Sequence, residues 1–429
     1  MIHRMNVRCR GCDEIFTLRL GMNVSKRAAF YFLCPACGLP IQGELSGNSI
    51  ENVRLEIGGD ATSEAPGGRV TTADPNAPVL VTADSLKGDI WGGMTNMTLS
   101  YLCGERVLDY VTMCNRGIQF LEDDWPAVER SIRYYMNSDF ARFESAAKKT
   151  RLVLPKIGFA TTHARASQLY NLVGIASVGI MEPSPTGTQF IRRLSMKHTA
   201  ALRHDSYRRY ARDLLASGRL LEMERRQLEE VLLFIDHAEA WRIGMLPRYM
   251  RPDIDMEQLG WRVLRNEFST LRDLYIHGFE TVCRSLGPLV AAQNTIKRTN
   301  PDDFGDESPE GRPNAKLSPP VSMARYEGLV NADKLCFVRA IPGISNIANL
   351  LDGRLRNAIG HSSARHDLLS GRIVADKLPD GLAYLDFVAK VADVFEALTL
   401  VTQVTRFMRV ASSPDFPADA EASADGTLR

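Results

Sequence analysis

The stretch that decides the C-terminal fold is residues 345–376, SNIANLLDGRLRNAIGHSSARHDLLSGRIVAD. Four apolar residues recur at every fourth position: Ile347, Leu351, Leu355 and Ile359. This spacing predicts a helix with one face against a core. Gly360 and the polar run behind it predict the end of that helix. Ser370-Gly371, between two apolar runs, predicts a two-residue turn and a short β-hairpin.

Three side chains near the end of this helix are chemically suggestive: Arg356, Asn357 and His361. Arg356 is predicted on the packed helix, and His361 is predicted at an exposed position beyond Gly360. About one and a half helical turns separate the two residues, so a long guanidinium can reach the neighbourhood of the imidazole. One phosphate group could contact both, which suits phosphodiester chemistry.

The motif resembles the HEPN superfamily, whose ribonucleases carry an arginine followed by a histidine, often with asparagine directly after the arginine. RLRNAIGH, RHD, the hairpin LLSGRIV and a long closing helix carry the resemblance, which covers about residues 255–411. Two other pairs have the same spacing, Arg193 with His198 and Arg272 with His277. Both lie inside long helical runs, so we expect neither to form a site.

The resemblance implies a metal-independent endoribonuclease in which the RNA 2′-hydroxyl attacks the adjacent phosphorus and leaves a 2′,3′-cyclic phosphate. One group must remove the proton of the 2′-hydroxyl. Another group, on the far side of the phosphorus, must donate a proton to the departing 5′-oxygen. HEPN nucleases are known for dimeric composite sites, and a homodimer would place two copies of His361 around a two-fold axis. Arg356 would stabilise charge on the phosphate oxygens, and Asn357 would orient His361 or the phosphate. Arg354 and Arg365 could hold flanking phosphates.

No acidic cluster in the sequence resembles a two-metal centre, so no catalytic metal is expected. The resemblance further implies a toxin or phage-defence effector, with the rest of the chain, or a sensor or inhibitor partner, as a restraint. Two alternatives stay open. One is a non-catalytic HEPN protein in which Arg356 and His361 bind a ligand or support a dimer. The other is a zinc-ribbon nucleic-acid-binding or scaffold protein.

Two cysteine pairs near the N-terminus have the spacing of a metal site: Cys9, Cys12, Cys34 and Cys37. Four thiolates fill a tetrahedral zinc shell and leave no open position, so the sequence predicts a structural Zn²⁺ in a small ribbon. EIFTLRL and AAFYFL read as its strands, and Gly38 permits a knuckle turn. A redox dithiol is the alternative. A basic composition mildly favours nucleic-acid binding by the ribbon: Arg4, Arg8, Arg10, Arg19, Lys26 and Arg27.

The 429-residue length predicts several domains in a mainly α-helical chain. They are a β zinc ribbon over 1–46, a flexible linker over 47–93, a helical domain over 94–250 and a HEPN-like helical bundle with a short β-hairpin over 251–411. Residues 294–322 read as a flexible insertion and 412–429 as a disordered tail. Without a long apolar run or signal segment, we expect a soluble, cytoplasmic protein with no membrane association. A net charge of +1 says nothing about a nucleic-acid partner.

The segment 191–212 is the most basic part of the chain, with Tyr207 and Tyr210 among its cations. Four arginines are candidate RNA contacts: Arg192, Arg193, Arg208 and Arg209. Such a segment could follow a phosphate backbone and stack an unpaired base on a tyrosine. The alternative is a solvated helix face whose arginines pair with the acidic run LLEMERRQLEE over 220–230.

Overall fold

The computed structural model describes most of the chain. Its ranges are 2–21, 27–47, 53–58, 61–64, 69–73, 80–81, 96–150, 152, 158–257, 262–263, 265, 267–305, 318–360, 363–368 and 370–412. The described chain is mainly helical, with small β-sheets near the N-terminus and a further small sheet before the last helix, which confirms the predicted fold class. Within those ranges, no helix combines the length and hydropathy needed to cross a membrane.

The N-terminal module consists of two small sheets. The first has the order β6-β1-β2-β7, in which only the β2–β7 pair is parallel, and the second has the order β3-β4-β5. The strands are β1 (Ile2–Cys9), β2 (Ile15–Gly21), β3 (Arg27–Leu33), β4 (Pro40–Gly47), β5 (Val53–Ile57), β6 (Ala61–Glu64) and β7 (Arg69–Ala73). The two predicted ribbon strands correspond to β2 and β3.

Apolar and polar residues alternate along β1 and β2, and this alternation explains which face of the sheet is buried. Val7 pairs with Phe16 across the ladder, and both side chains are completely buried in a core of their own. Arg4 pairs with Arg19 three residue pairs further along the ladder, so the opposite face carries basic residues. The period of two residues therefore separates an apolar face from a basic face.

The region 47–93 contributes strands to the module, contrary to the predicted linker. β5 extends the second sheet, while β6 and β7 form the two edges of the first. Backbone hydrogen bonds to existing strands can hold such polar, glycine-rich segments although they bury little apolar surface. Residues 48–52, 59–60, 65–68, 74–79 and 82–95 lie outside the described ranges.

Sixteen helices of at least one turn make up the described body from residue 96 onward. The first nine are α1 (Asn96–Cys103), α2 (Val107–Gln119), α3 (Trp125–Met136), α4 (Phe140–Lys148), α5 (Thr162–Ile180), α6 (Pro185–Leu202), α7 (Asp205–Ala216), α8 (Arg219–Asp236) and α9 (Ala238–Trp241). The other seven are α10 (Phe268–Arg284), α11 (Gly287–Arg298), α12 (Met323–Glu327), α13 (Asn331–Arg339), α14 (Asn346–Asn349), α15 (Gly353–Ile359) and α16 (Tyr384–Ala411).

Short elements join these helices. They are 3₁₀ turns at Gly104–Arg106 and Arg242–Arg248, a π-helical turn at Phe120–Asp124, and the strands β8 (Leu80–Val81), β9 (Arg262–Val263), β10 (Arg365–Asp367), β11 (Arg372–Ala375) and β12 (Leu378–Ala383). The antiparallel β8–β9 pair links the N-terminal region to the helical body.

The long helix α16 is the centre of the helical body. Among its described side chains, only Asp386 is exposed. It packs against α5, α6, α7, α8 and α10 and against the turn Arg242–Arg248. One hydrophobic core consequently runs from Leu99 to Met408, so the predicted boundary between residues 250 and 251 does not separate two cores.

The N-terminal part of the predicted flexible insertion over residues 294–322 is ordered as helix and packed loop. α11 continues to Arg298, and the Phe304 ring stacks on Tyr326 at a centroid distance of 6.0 Å. This aromatic contact ties residues beyond the helix to the core. Residues 306–317 and the predicted tail beyond Ser412 lie outside the described ranges.

A glycine contact provides a test of the packing around α16. A Cβ at Gly244 would overlap the Val388 carbonyl group of α16 and lie 2.7 Å from the Ala389 nitrogen. Because both are backbone atoms, we expect Gly244→Ala to lower the free energy of unfolding by about 1–3 kcal/mol. Urea unfolding measures this change.

Gly174→Ala in α5 is the matched control, since its Cβ would have no neighbour within 4 Å. Alanine at an unobstructed helical position should stabilise by up to about 1 kcal/mol. Equal effects of the two substitutions would contradict the close approach at Gly244.

Candidate functional site

The predicted helix over residues 345–359 is divided into α14 and α15. All four residues of the predicted apolar stripe are buried: Ile347, Leu351, Leu355 and Ile359. The break occurs because Asp352 caps α15, its carboxylate accepting hydrogen bonds from the backbone nitrogens of Arg354 at 2.9 Å and Leu355 at 3.0 Å. The stripe was therefore predicted correctly, and the continuous helix was not.

Arg356 lies on α15, where it contacts α10 directly and α13 through a shared carboxylate. Its Nη2 atom is 2.6 Å from Oε1 of Glu280 on α10, and its Nη1 donates to Oδ1 of Asn357 at 3.3 Å. The amide of Asn331 on α13 donates to the second oxygen of Glu280 at 2.8 Å. Three helices thus fix the orientation of one guanidinium.

The guanidinium of Arg356 is accessible although it is held. Its side chain is 35% exposed, and its buried Nε has no hydrogen-bond partner in the part of the chain that the structure describes. Asn357 is exposed beside it. The exposed part of the guanidinium and the Asn357 amide therefore remain available to an anion, whereas the buried Nε does not.

The helix ends where the sequence predicts. Gly360 caps α15, and its nitrogen donates to the Arg356 carbonyl oxygen at 3.0 Å. His361 and Ser362 lie outside the described residues, so the position of the predicted imidazole stays a prediction. Arg354 on α15 and Arg365 at the start of β10 are both exposed.

The segment after the motif is a three-stranded antiparallel sheet, β10-β11-β12. Asp367 pairs with Arg372, so four residues, rather than the predicted two, separate the paired positions. Gly371 has a φ of +67°, and its nitrogen donates to the Asp367 carbonyl oxygen at 2.8 Å. A glycine tolerates that left-handed conformation without strain.

The two other arginine–histidine pairs lie on helices α6 and α10, as expected. His198 is only 3% exposed and packs edge-on against Tyr207. Burial lowers the pKa of His198 to about 4, so this imidazole is neutral and inaccessible at neutral pH. His277 is exposed on α10.

The arginine-rich segment 191–212 carries exposed arginines, but the predicted pairing of its arginines with the acidic run over 220–230 is not seen for Arg208. Arg192, Arg193 and Arg209 are exposed, whereas Arg208 pairs with Asp205 in its own helix. The predicted partner Glu222 pairs instead with Arg225 and Arg226 of α8.

Base stacking on Tyr207 is excluded by its position, because this ring is completely buried in the core. Aromatic residues that lie among cations in a helix can belong to the apolar face of that helix, as Tyr207 does here. RNA binding by the arginines of this segment stays a prediction.

Sequence reasoning missed Glu280 and Asn331. Both are ordinary polar residues on predicted helices, and only the packing of α10, α13 and α15 brings them to Arg356. The sequence does show Glu280 as a carboxylate beside the apolar stripe of α10. It does not indicate that Arg356 is the partner of this carboxylate.

The four N-terminal cysteines come together as predicted. Their sulfur atoms all lie within 4.8 Å of one another. The Sγ atoms of Cys9 and Cys37 are 3.7 Å apart, and those of Cys12 and Cys34 are 3.6 Å apart. Zinc–sulfur bonds of about 2.3 Å in a tetrahedron place sulfur atoms about 3.8 Å apart. The four side chains could therefore hold a metal ion.

Local backbone geometry positions these thiols. Gly38 has the predicted left-handed conformation, with a φ of +74°, and its nitrogen donates to the Cys34 carbonyl oxygen at 2.9 Å. Burial raises the pKa of Cys9 and raises that of Cys34 to about 12. A bound cation would favour their thiolate forms and offset this burial.

Compared with known proteins, the chain matches no family model, no curated protein and no solved structure.

Replacement of a buried cysteine tests the metal site. We expect Cys34→Ala to lose the bound metal, because three thiolates leave the tetrahedral shell open, and to unfold the N-terminal module, whose core is separate from that of the helical body. Metal content by mass spectrometry measures the first effect and limited proteolysis of the N-terminal strands the second, while an unchanged helical circular dichroism signal shows that the helical body stays folded.

Cys103→Ala is the control, since Cys103 is buried on α1 and lies outside the four-cysteine cluster. We expect this variant to retain about one metal ion per chain. Metal retained by Cys34→Ala would contradict a four-thiolate site.

Proposed function

We propose that the chain is a metal-independent endoribonuclease of HEPN type, with Arg356, Asn357 and His361 as its catalytic residues. The observation that supports this proposal best is the orientation of Arg356. Glu280 holds one edge of its guanidinium at 2.6 Å while the side chain stays 35% exposed. A preoriented cation at an accessible helix end suits binding of a phosphodiester.

In this proposal, Arg356 binds the non-bridging oxygens of the scissile phosphate. The negative charge on these oxygens grows as the RNA 2′-hydroxyl attacks, so a fixed guanidinium stabilises the transition state more than the ground state. The exposed amide of Asn357 orients either the phosphate or the imidazole.

His361 transfers the proton. One imidazole cannot serve both the attacking and the departing oxygen, so we propose a homodimer in which two copies of His361 face one phosphate. Arg354 and Arg365, which are both exposed, would contact flanking phosphates.

We further propose that the four-cysteine cluster binds a structural Zn²⁺. The all-sulfur donor set and the sulfur separations suit tetrahedral zinc. The basic face that carries Arg4 and Arg19 then becomes a surface for RNA or for a partner that restrains the nuclease. The resemblance suggests a toxin or a phage-defence effector for the whole chain.

The contact between Arg356 and Glu280 also supports a second candidate, a non-catalytic HEPN-like protein. A carboxylate already compensates the arginine, and such a pair can serve to hold α10 against α15. The dependence of RNA cleavage on His361 distinguishes the two candidates.

We expect the wild-type protein to cleave mixed RNA in magnesium-free buffer. Arg356→Ala and His361→Ala should each lower the rate about 100-fold or more, since each removes a group that acts in the transition state. Gel analysis of the fragments measures the rate.

The matched control is His277→Ala, which removes an exposed histidine at the same spacing from an arginine. We expect its rate to equal that of the wild type. Cleavage that requires added Mg²⁺, or that survives His361→Ala, would overturn the proposed mechanism.

A further inference from the structure

A cavity distinct from the Arg356 motif lies where helices α7, α8, α10, α11, α12 and α13 meet, and it has a volume of about 440 Å³. Six charged residues are among those that line it: Arg219, Glu222, Arg226, Arg284, Glu327 and Lys334. Four cations thus face two carboxylates, which gives this open cavity an excess of positive charge. Cavities of this size accommodate small ligands.

Lys334 is the most unusual of these residues. It is only 7% exposed, and no described residue accepts a hydrogen bond from its ammonium or forms an ion pair with it. Burying a cation without a partner is costly. Burial lowers the pKa of Lys334, and the neighbouring Arg284 lowers it further. Glu280 acts in the opposite direction, but it forms its ion pair with Arg356 and not with Lys334.

The carboxylates of the cavity are already engaged. Glu327 pairs with Arg219, and Glu222 pairs with Arg226 through a 2.6 Å contact. Arg284 is exposed and, among the described residues, has no ion-pair partner. Arg284 and Lys334 are therefore the two cations of this cavity that pair with no carboxylate among the described residues.

Two helix N-termini add to the positive potential. Gly218 precedes α8, which has 18 residues, and its N-terminus has no side-chain cap. α11, with 12 residues, begins at Gly287, and since Pro288 has no N–H this end contributes partial positive charge more than donors. Gly218, Arg219 and Gly287 all line the cavity. Helix N-termini present backbone N–H groups and a partial positive charge, which together favour anions.

We propose that this cavity binds a phosphate group, held by Lys334, Arg284 and the N-termini of α8 and α11. Phosphate offers several acceptor oxygens, which suits an ammonium, a guanidinium and backbone N–H donors at once. The group could belong to a free phosphorylated ligand or to an RNA backbone. The cavity shares α10 with the Arg356 motif, since Glu280 and Arg284 lie one helical turn apart.

Inorganic pyrophosphate is the probe for a test on the full-length protein. Isothermal titration should detect saturable binding to the wild type at constant ionic strength. Lys334→Met should weaken this binding about tenfold or more, because it removes a charged donor while keeping an unbranched side chain of similar length. Arg284→Gln tests the same site at an exposed position where folding is not at risk.

Lys148→Met is the control, since Lys148 is exposed on α4 and does not line the cavity. Its affinity should equal that of the wild type. The melting temperature gives a second readout. Without pyrophosphate, Lys334→Met should melt above the wild type, because it removes an unpaired buried charge, and added pyrophosphate should no longer raise its melting temperature.

Competition with a short single-stranded RNA identifies the source of the phosphate. Displacement of pyrophosphate by the RNA supports a backbone phosphate, and binding of pyrophosphate without displacement supports a free ligand. Absence of saturable binding, or equal affinity in the wild type and both cavity variants, would overturn the proposal. Because this measurement needs no cleavage, its outcome is independent of the proposed nuclease activity.

Discussion

The burial of α16 is the constraint on which the helical body depends. A 28-residue helix with one exposed side chain among those described must be covered on nearly every side. Helices from both halves of the chain provide that cover, and the turn at Gly244 approaches the helix so closely that a single methyl group would overlap its backbone. The sheet β10-β11-β12 leads directly into this helix, so the segment after the motif is anchored to the centre of the core.

The packing of α10 on α16 sets the geometry of the candidate site. Phe279 and Val282 of α10 are buried in the core, and this leaves Glu280 half-buried at the edge, where it meets Arg356. A partly exposed ion pair contributes about 1 kcal/mol or less to stability. Its main consequence here is orientation, because the contact fixes a guanidinium that would otherwise sample many rotamers. The N-terminal module contacts the other end of α10, where Tyr31 donates to Glu267 at 2.8 Å just before the helix begins.

The sequence predicted those features that depend on local periodicity or spacing. The four-cysteine cluster, the apolar stripe from Ile347 to Ile359 and the long last helix were predicted in this way. Features that depend on tertiary contacts were not. The strands β5 to β7 are short, β6 and β7 are mostly polar, and the three pair with β4, β1 and β2 respectively. The break at Asp352 reflects a hydrogen-bonded cap that competes with helix continuation. Glu280 and Lys334 acquire their significance only when α10 and α13 pack together.

The chemistry of the RNA ends tests the central claim most directly. Mass spectrometry of a short RNA of defined sequence, incubated with the wild-type protein, identifies the groups at each new terminus. The account predicts a 2′,3′-cyclic phosphate on one fragment and a 5′-hydroxyl on the other, since the 2′-oxygen of the substrate is the nucleophile. A 3′-hydroxyl with a 5′-phosphate would show that water or a metal-bound hydroxide attacks instead, and would contradict the roles assigned to Arg356 and His361.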